Sequence, residues 1–352
     1  MIELEQLLRL AVRYNASDMH ITVGRPPAFR INGRLRTIPA DKLTEEDTRR
    51  YAKECLNNEK YEQLLSEGEV DYTISIPGIS RFRVNAFFQK GCIAMAFRVL
   101  PCRIPSFEEL GFPPVIKDIC KIREGMILVT GPTGSGKSTT MASIIDEINS
   151  TMDGHILTLE DPIEFIFEHK KCIVNQREIG KDSKSYANAL RASLREDPDV
   201  IFIGEMRDIE SISIAVTAAE TGNLVFSTLH TLGGAKTIDR LIDVFPSDQQ
   251  QQIRTQVAGA LKAVISQRLI PKKDNTGRVA AIEIMIVTPA ISNLIREGKV
   301  AGINSAIQTG VSHGMQLLDK SIADLYKKGK ISKENAYLYC TDKEMLRRFL
   351  GE

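Results

Sequence analysis

The chain has no tryptophan, only 6% aromatic residues, and 46 lysines and arginines set against 45 acids for a net charge of +1. No global basic field therefore points to nucleic acid or to an anionic membrane, and few rings are available to stack on bases. Its cysteines (Cys55, Cys92, Cys102, Cys120, Cys172, Cys340) form no C-x-x-C pair. That spacing argues against a zinc ribbon or a disulfide framework and for reduced, mostly buried thiols in the cytosol. No apolar run approaches the roughly 20 residues needed to span a bilayer. The opening MIELEQLLRLAV reads as an amphipathic helix and not as a signal peptide. The expectation is a soluble, intracellular protein with no direct membrane insertion, whose membrane association would run through a partner.

At 352 residues the chain has room for two domains. Residues 1–100 read as an α+β domain: a first helix ending near Asn15, a hairpin turning at Asn32-Gly33, and one helical segment from about Thr44 to Ser66. The strands VDYTISI, SRFRVNAFFQK and IAMAFRVL follow. Alternation puts Phe82, Val84 and Ala86 on one face and Arg81 and Arg83 on the other. Prolines concentrate in 101–114, which reads as a linker. From 115 to 289 the strands MILVT, HILTLE, CIVN, DVIFIGE, NLVFSTL and VAAIEIMIV alternate with helices, the rhythm of an α/β domain with a largely parallel sheet. Residues 290–352 read as wholly helical.

The stretch MILVTGPTGSGKSTT, residues 126–140, carries the most chemistry. Gly131, Gly136, Lys137 and Ser138 fit G-x-x-x-x-G-K-[ST], the phosphate-binding P-loop. Glycines at such a turn let successive N–H groups converge on an anion, and the following helix aims its positive end at the same point. The loop Gly131, Pro132, Thr133, Gly134, Ser135, Gly136, Lys137, Ser138 and Thr139 is thus expected to bind ATP. Lys137 would reach the β- and γ-phosphates and the Ser138 hydroxyl would hold Mg²⁺. The competing reading is a glycine-rich turn with no ligand.

An ATPase also needs an acid on the metal and a group to position water. DVIFIGEMRD, residues 199–208, resembles a Walker B strand, with Gly204 where the metal-binding aspartate usually stands. Glu205 is the candidate for polarising water, or else a helix-start acid. Glu160 and Asp161, at the end of HILTLEDPIEF, would hold Mg²⁺ through its waters, or merely cap a turn. His230 ends the strand NLVFSTLHT and would either sense the γ-phosphate or be structural. Arg177, Arg191, Arg195 and Arg207 lie among these motifs, and each alone reads as a surface charge.

With these motifs in order the chain resembles the type IV pilus and type II secretion motor ATPases, and more narrowly their retraction branch. SDMHITVGRPPAFRINGRL and RFRVNAFFQKG match the family's N-terminal motifs. GPTGSGKST, ILTLEDPIEF, REDPDVIFIGEMRD and TGNLVFSTLHT match its Walker A, Asp, Walker B and His motifs, and Gly204 is itself a family trait. The resemblance implies a PAS-like N-terminal domain, a RecA-like C-terminal domain and a homo-hexameric ring. In that implied ring a neighbour's N-terminal domain would complete each nucleotide site, which makes Arg81, Arg83 and Arg98 catalytic candidates and raises the case for His230. It also implies an inner-membrane pilus platform protein as partner, pilin indirectly, and a place at the cytoplasmic face of the inner membrane.

Ala290–Glu297 reads AISNLIRE where the family usually has AIRNLIRE, with Ser292 in place of arginine. After Thr231 the chain reads Leu232-Gly233-Gly234-Ala235 where the family often has N-S-A-A, and the extra glycine suggests a looser turn. Retraction is favoured over assembly or secretion because the chain is expected to open directly at the PAS-like domain, lacks a paired C-x-x-C motif and keeps most of AISNLIREGK. A RecA-like nucleic-acid motor and a non-hydrolysing regulatory subunit are the other readings.

Overall fold

The computed structural model describes every residue except Met1, Asn32, Cys102 and Arg207. Cys102, Arg207 and the first half of the expected Asn32-Gly33 turn therefore lie outside the described residues. The chain separates into two compact units, Met1–Arg103 and Ile104–Glu352.

The first unit is built on β1 (Asp18–Ile21), β2 (Ala28–Ile31), β3 (Arg34–Thr37), β4 (Glu69–Ile76), β5 (Ser80–Gln89) and β6 (Cys92–Leu100). They form an antiparallel sheet in the order β3-β2-β1-β6-β5-β4. Phe82, Val84 and Ala86 are fully buried, so the alternation in β5 does set its core face. The expected helix from Thr44 to Ser66 is two helices, Glu45–Cys55 and Asn57-capped Asn58–Glu67. The break has a local cause: the Asn57 side chain accepts the Lys60 N–H, and such side chains compete with helix continuation.

The second unit is an α/β sheet of β7 (Gly125–Thr130), β8 (Gly154–Glu160), β9 (Cys172–Glu178), β10 (Val200–Ile203), β11 (Leu224–Leu229), β12 (Leu261–Pro271) and β13 (Arg278–Ile286). The order is β13-β12-β7-β11-β10-β8-β9, with every pair parallel except β12–β13. Helices cover both faces. In β7, Met126 and Leu128 join one core cluster while Ile127 and Val129 join the other, the pattern of a strand buried on both sides.

Two expectations need correction. β12 was not among the expected strands, yet it lies inside the sheet, between β7 and the edge strand β13. The helix Gln250–Ala260 runs into it with no glycine or proline boundary after Ala260. The stretch 101–114 is more than a linker, because Phe107 starts a short helix, Phe107–Leu110, capped by Ser106. Phe107 is 6% exposed and packs with Ile116, Ile119 and Met141 in the second unit's core. Phe107→Ala should therefore lower stability by about 3–5 kcal/mol, read as an earlier urea transition of the second unit. A change within about 0.5 kcal/mol, as for a surface position, would return this stretch to a linker.

Candidate active site

Parallel strands put their C-terminal ends on one edge, the usual ligand edge of an α/β sheet. The P-loop leaves β7 there, Glu160 ends β8, Glu205 follows β10 and His230 follows β11. In the P-loop, Gly131, Gly134 and Gly136 all have positive φ (146°, 76° and 90°). At Gly131 a Cβ would lie 2.2 Å from the Gln267 carbonyl oxygen, and at Gly136 it would lie 3.1 Å from Gln267 Nε2. Gln267, on β12 and 1% exposed, donates from Nε2 to the Ser135 carbonyl at 2.6 Å and accepts from Thr140 Oγ1 at 2.7 Å. The loop is thus held from below by one buried amide, with its outer side at Thr133 and Gly134 open to solvent.

Lys137 opens the helix Lys137–Thr151. Its Nζ donates to the carbonyls of Gly131 at 2.8 Å and Pro132 at 3.2 Å, and lies 3.4 Å from His230 Nδ1. His230 Nε2 in turn lies 2.9 Å from Glu205 Oε1. A neutral imidazole with its proton on Nε2 satisfies both contacts: Nδ1 accepts from the ammonium, and Nε2–H donates to the carboxylate. Burial pushes the Lys137 pKa down, opposed by the carboxylates of Glu205 and Glu164. The three side chains form one line from ammonium to carboxylate.

Glu160 is 6% exposed. Its Oε1 accepts from Thr158 Oγ1 at 2.7 Å and from Gln176 Nε2 at 3.2 Å. Burial raises its pKa to about 7. Asp161 is exposed, and Ser138 is half-buried on the first turn of the P-loop helix. Gly204 has a packing reason to lack a side chain. A Cβ there would come 3.0 Å from the Tyr186 hydroxyl, 3.3 Å from the Leu159 carbonyl and 3.5 Å from Glu160 Cα. Its carbonyl accepts from Thr228 Oγ1 at 2.6 Å. The acid that would crowd this strand end stands one strand over, as Glu160.

The arginines Arg81, Arg83 and Arg98 belong to the first unit. Arg83 and Arg98 are directly opposite across β5 and β6, Arg98 pairs with Asp18 at 3.0 Å and Arg83 with Asp71 at 3.7 Å. Arg81 Nη1 is buried with no hydrogen-bond partner among the described residues. In the second unit Arg177 pairs with Glu196 at 2.7 Å, Arg191 pairs with Glu210, and Arg195 is exposed. Ser292 donates from Oγ to the Ala258 carbonyl at 2.7 Å.

The turn after His230 is not loose. Gly233 N–H is held by Ser266 Oγ and Gly234 N–H by Glu283 Oε1, both at 2.7 Å. Sequence reasoning missed Gln267, Ser266, Glu283 and Glu164. Only Glu164 carried a signal, as the next acid in EDPIEF.

The model of the type II/IV secretion system protein family matches residues 1–338. The chain is 50% identical over 335 residues to the type IV pilus retraction ATPase PilT of Pseudomonas aeruginosa, covering 95% of this chain and 97% of that protein. It is 48% identical over 310 residues to a twitching motility protein of Neisseria gonorrhoeae, covering 88% and 83%. The crystal structure of the pilus retraction motor PilT with bound ADP matches with a TM-score of 0.92 at 47% identity, over 99% of this chain and 100% of that one.

The raised pKa of Glu160 gives a pH dependence of known sign. Its folded value is about 7 against an ordinary 4.5, so between those values the folded protein binds a proton that the unfolded chain releases. Its contribution to stability is full below the unfolded pKa and is lost as pH rises through the folded one. Glu160→Gln keeps an acceptor for Thr158 and Gln176 but does not titrate. Relative to wild type, its gain in stability in metal-free buffer should grow by up to about 3 kcal/mol between pH 4 and pH 8. Urea midpoints across that range measure it, and a pH-independent difference would mean the carboxyl is not shifted.

Proposed function

Because the chain belongs to the family of type II/IV secretion system proteins, we propose that it is the ATP-hydrolysing motor that powers retraction of type IV pili, the basis of twitching motility. The observation that carries the chemistry is the Lys137–His230–Glu205 line at the end of the parallel strands. The N–H groups of the loop from Gly131 to Gly136 hold the phosphates of ATP. Lys137 moves from the loop carbonyls onto the β- and γ-phosphate oxygens, and Ser138 and Thr139 continue the cradle into the helix. Glu205 orients the attacking water. The water oxygen bonds to the γ-phosphorus, the bond to the β–γ bridging oxygen breaks, and ADP and phosphate result. His230 touches both partners, so the position of the ammonium reaches the carboxylate through one ring. That is a physical route for sensing whether a γ-phosphate is present.

Among the described residues no group of three or more His, Cys, Asp or Glu side chains could hold a metal by itself. This donor set suits Mg²⁺, which keeps most of its waters and takes phosphate oxygens with one or two protein groups. Ser138, Glu160 and Asp161 would hold it there, and it would neutralise charge developing on the phosphates.

In this reading the first unit is PAS-like and the second RecA-like. The parallel run β12-β7-β11-β10-β8, with the P-loop strand inside it, supports the second assignment. The working form is a homo-hexamer in which Arg81, Arg83 and Arg98 of a neighbour meet the nucleotide. Like charges directly opposite in a sheet repel, and a phosphate beside Arg83 and Arg98 would relieve that repulsion. The ring acts at the cytoplasmic face of the inner membrane on a platform protein, and through it on pilin, with no nucleic acid involved. No helix among the described residues is long and apolar enough to cross a membrane, so in this reading the platform protein provides the attachment.

Surface pili and twitching in a strain lacking this gene test the function. Abundant pili without motility, restored by the wild-type chain and not by Lys137→Ala, are expected. Bald cells would make the chain an assembly motor, and unchanged pili would remove it from this machine. For the arginines, Arg83→Ala should cut turnover about a thousandfold in assembled rings while leaving the residual turnover of isolated subunits unchanged. An equal loss in both forms would refute a contact supplied by the neighbour.

A further inference from the structure

After His230 the chain turns at Gly233, where φ is +96°, and enters the helix Gly234–Asp243. Two side chains directly opposite each other across β12 and β13, Ser266 and Glu283, meet this turn. Ser266 Oγ accepts the Gly233 N–H and Glu283 Oε1 accepts the Gly234 N–H. The other oxygen of Glu283 accepts the N–H of Leu318 at 3.3 Å, and Leu318 begins the helix Leu318–Lys327. Glu283 is 6% exposed, and each of its oxygens accepts a backbone N–H. Its charge is met by the N-terminal ends of two helices, where unsatisfied N–H groups and the helix dipole favour an anion.

We propose that Glu283 is a positioning residue for ATP hydrolysis: it fixes the turn that follows His230 and, through the same carboxylate, makes that turn answer to the C-terminal helices. The inference rests on the reading of the Lys137–His230–Glu205 line given above. The turn has little slack of its own. Thr231 and Thr237 share a hydrogen bond of 2.8 Å, Thr237 Oγ1 donates to the Gly233 carbonyl at 2.8 Å, and a Cβ at Gly234 would meet Met285 Sδ at 2.8 Å. The turn therefore moves as a piece, and His230 is attached to it. Glu283 fixes where that piece sits relative to β13, whose paired neighbour β12 holds the piece through Ser266 and also carries Gln267 under the P-loop.

Asp319, beside Glu283, does not compete for these N–H groups. Its oxygens accept from Thr341 N–H, Thr341 Oγ1 and Asp342 N–H, and so fasten the helix Lys343–Leu350 to the helix Leu318–Lys327. A displacement of these C-terminal helices would reach His230 through one carboxylate.

Glu283→Gln tests the proposal in the full-length chain with Mg-ATP, beside Ser266→Ala, which removes the neighbouring acceptor without touching Leu318. The glutamine offers one acceptor where two N–H groups need one. The kcat should fall about tenfold with KM for ATP within twofold of wild type, since Gln267 and Lys137 are untouched. The His230 ring, one of five histidines and assigned with a His230→Asn reference, should shift its NMR titration curve in both variants. A purely structural role would lower the thermal midpoint but leave the His230 curve and the kcat of the folded protein where they were, and that result would overturn the proposal. If wild type itself shows no ATP turnover, the motor reading fails, yet the His230 titration still decides whether Glu283 positions the turn.

Discussion

A gap too narrow for a methyl group separates the P-loop from β12, and the arrangement of the site depends on it. The Gln267 carbonyl lies where a Gly131 side chain would begin, and the Gln267 amide lies under Gly136. The glycines of this loop therefore do two jobs. Their positive φ lets successive N–H groups point to one side, the arrangement that suits an anion, and their missing side chains let the interior strand β12 come close enough to hold the loop by hydrogen bonds. Gln267 uses its donor and its acceptor on the loop and on the first turns of the helix behind it. Its neighbour Ser266 holds the turn after His230. One dipeptide of β12 thus sets both the P-loop and the turn after His230.

Around that frame, acids are stabilised in unequal ways. Glu205 has the His230 ring, and with Glu164 it opposes the effect of burial on Lys137. Glu160 is hydrogen-bonded to a hydroxyl and an amide, which only partly offset its loss of hydration, and its pKa rises. Glu283 is met by two helix N-termini, and burial likewise raises its pKa. A cation brought near Glu160 would favour its charged form and recover energy there. Glu283 is already committed to backbone N–H groups, so its charge serves geometry. Gly204 belongs to the same account: an aspartate at that strand end would press on Tyr186 and on the backbone of Glu160.

The sequence exposes the parts of this site that local chemistry marks. The P-loop has a fixed spacing, the acidic strand ends stand out after apolar runs, and alternation in β5 separates core from arginine face. It hides what depends on strands distant in sequence. β12 follows a helix directly, the one glycine there, Gly259, lying inside that helix's last turn, and its LKAVISQRLI lacks the clean alternation of a half-buried strand because it is covered on both faces. Missing β12 meant missing Gln267 and Ser266 with it. Glu283 sits inside an apolar run as an isolated acid, and only the approach of two helix ends explains it. Gly233 and Gly234 looked like slack for the opposite reason: the groups that hold them lie 33 and 49 residues further along.

The departure at Ser292 finds its place in the same frame. The helix Pro289–Arg296 packs on the helix Gln250–Ala260, and Ser292 Oγ donates to the Ala258 carbonyl, one of the final carbonyls with no partner inside that helix. Ala258 stands in the last turn of that helix, three residues before β12 begins at Leu261. A short hydroxyl at this position therefore satisfies a backbone group at the helix-to-strand junction, whereas an arginine would carry its charge past it. The AISNLIRE helix is consequently tied to the root of the strand that holds the P-loop. The helices after β13 therefore touch the proposed site's frame at two separate hydrogen-bonded points, one near the start of β12 through the Ala258 carbonyl and one at the turn after His230 through Glu283. β12 is paired on both sides from Ala263 to Ser266, just after a register shift between Leu261 and Ala263, so a shift entering at its start meets a laterally held segment that ends beside Gln267, and a shift at Glu283 meets the same segment through its pairing with Ser266.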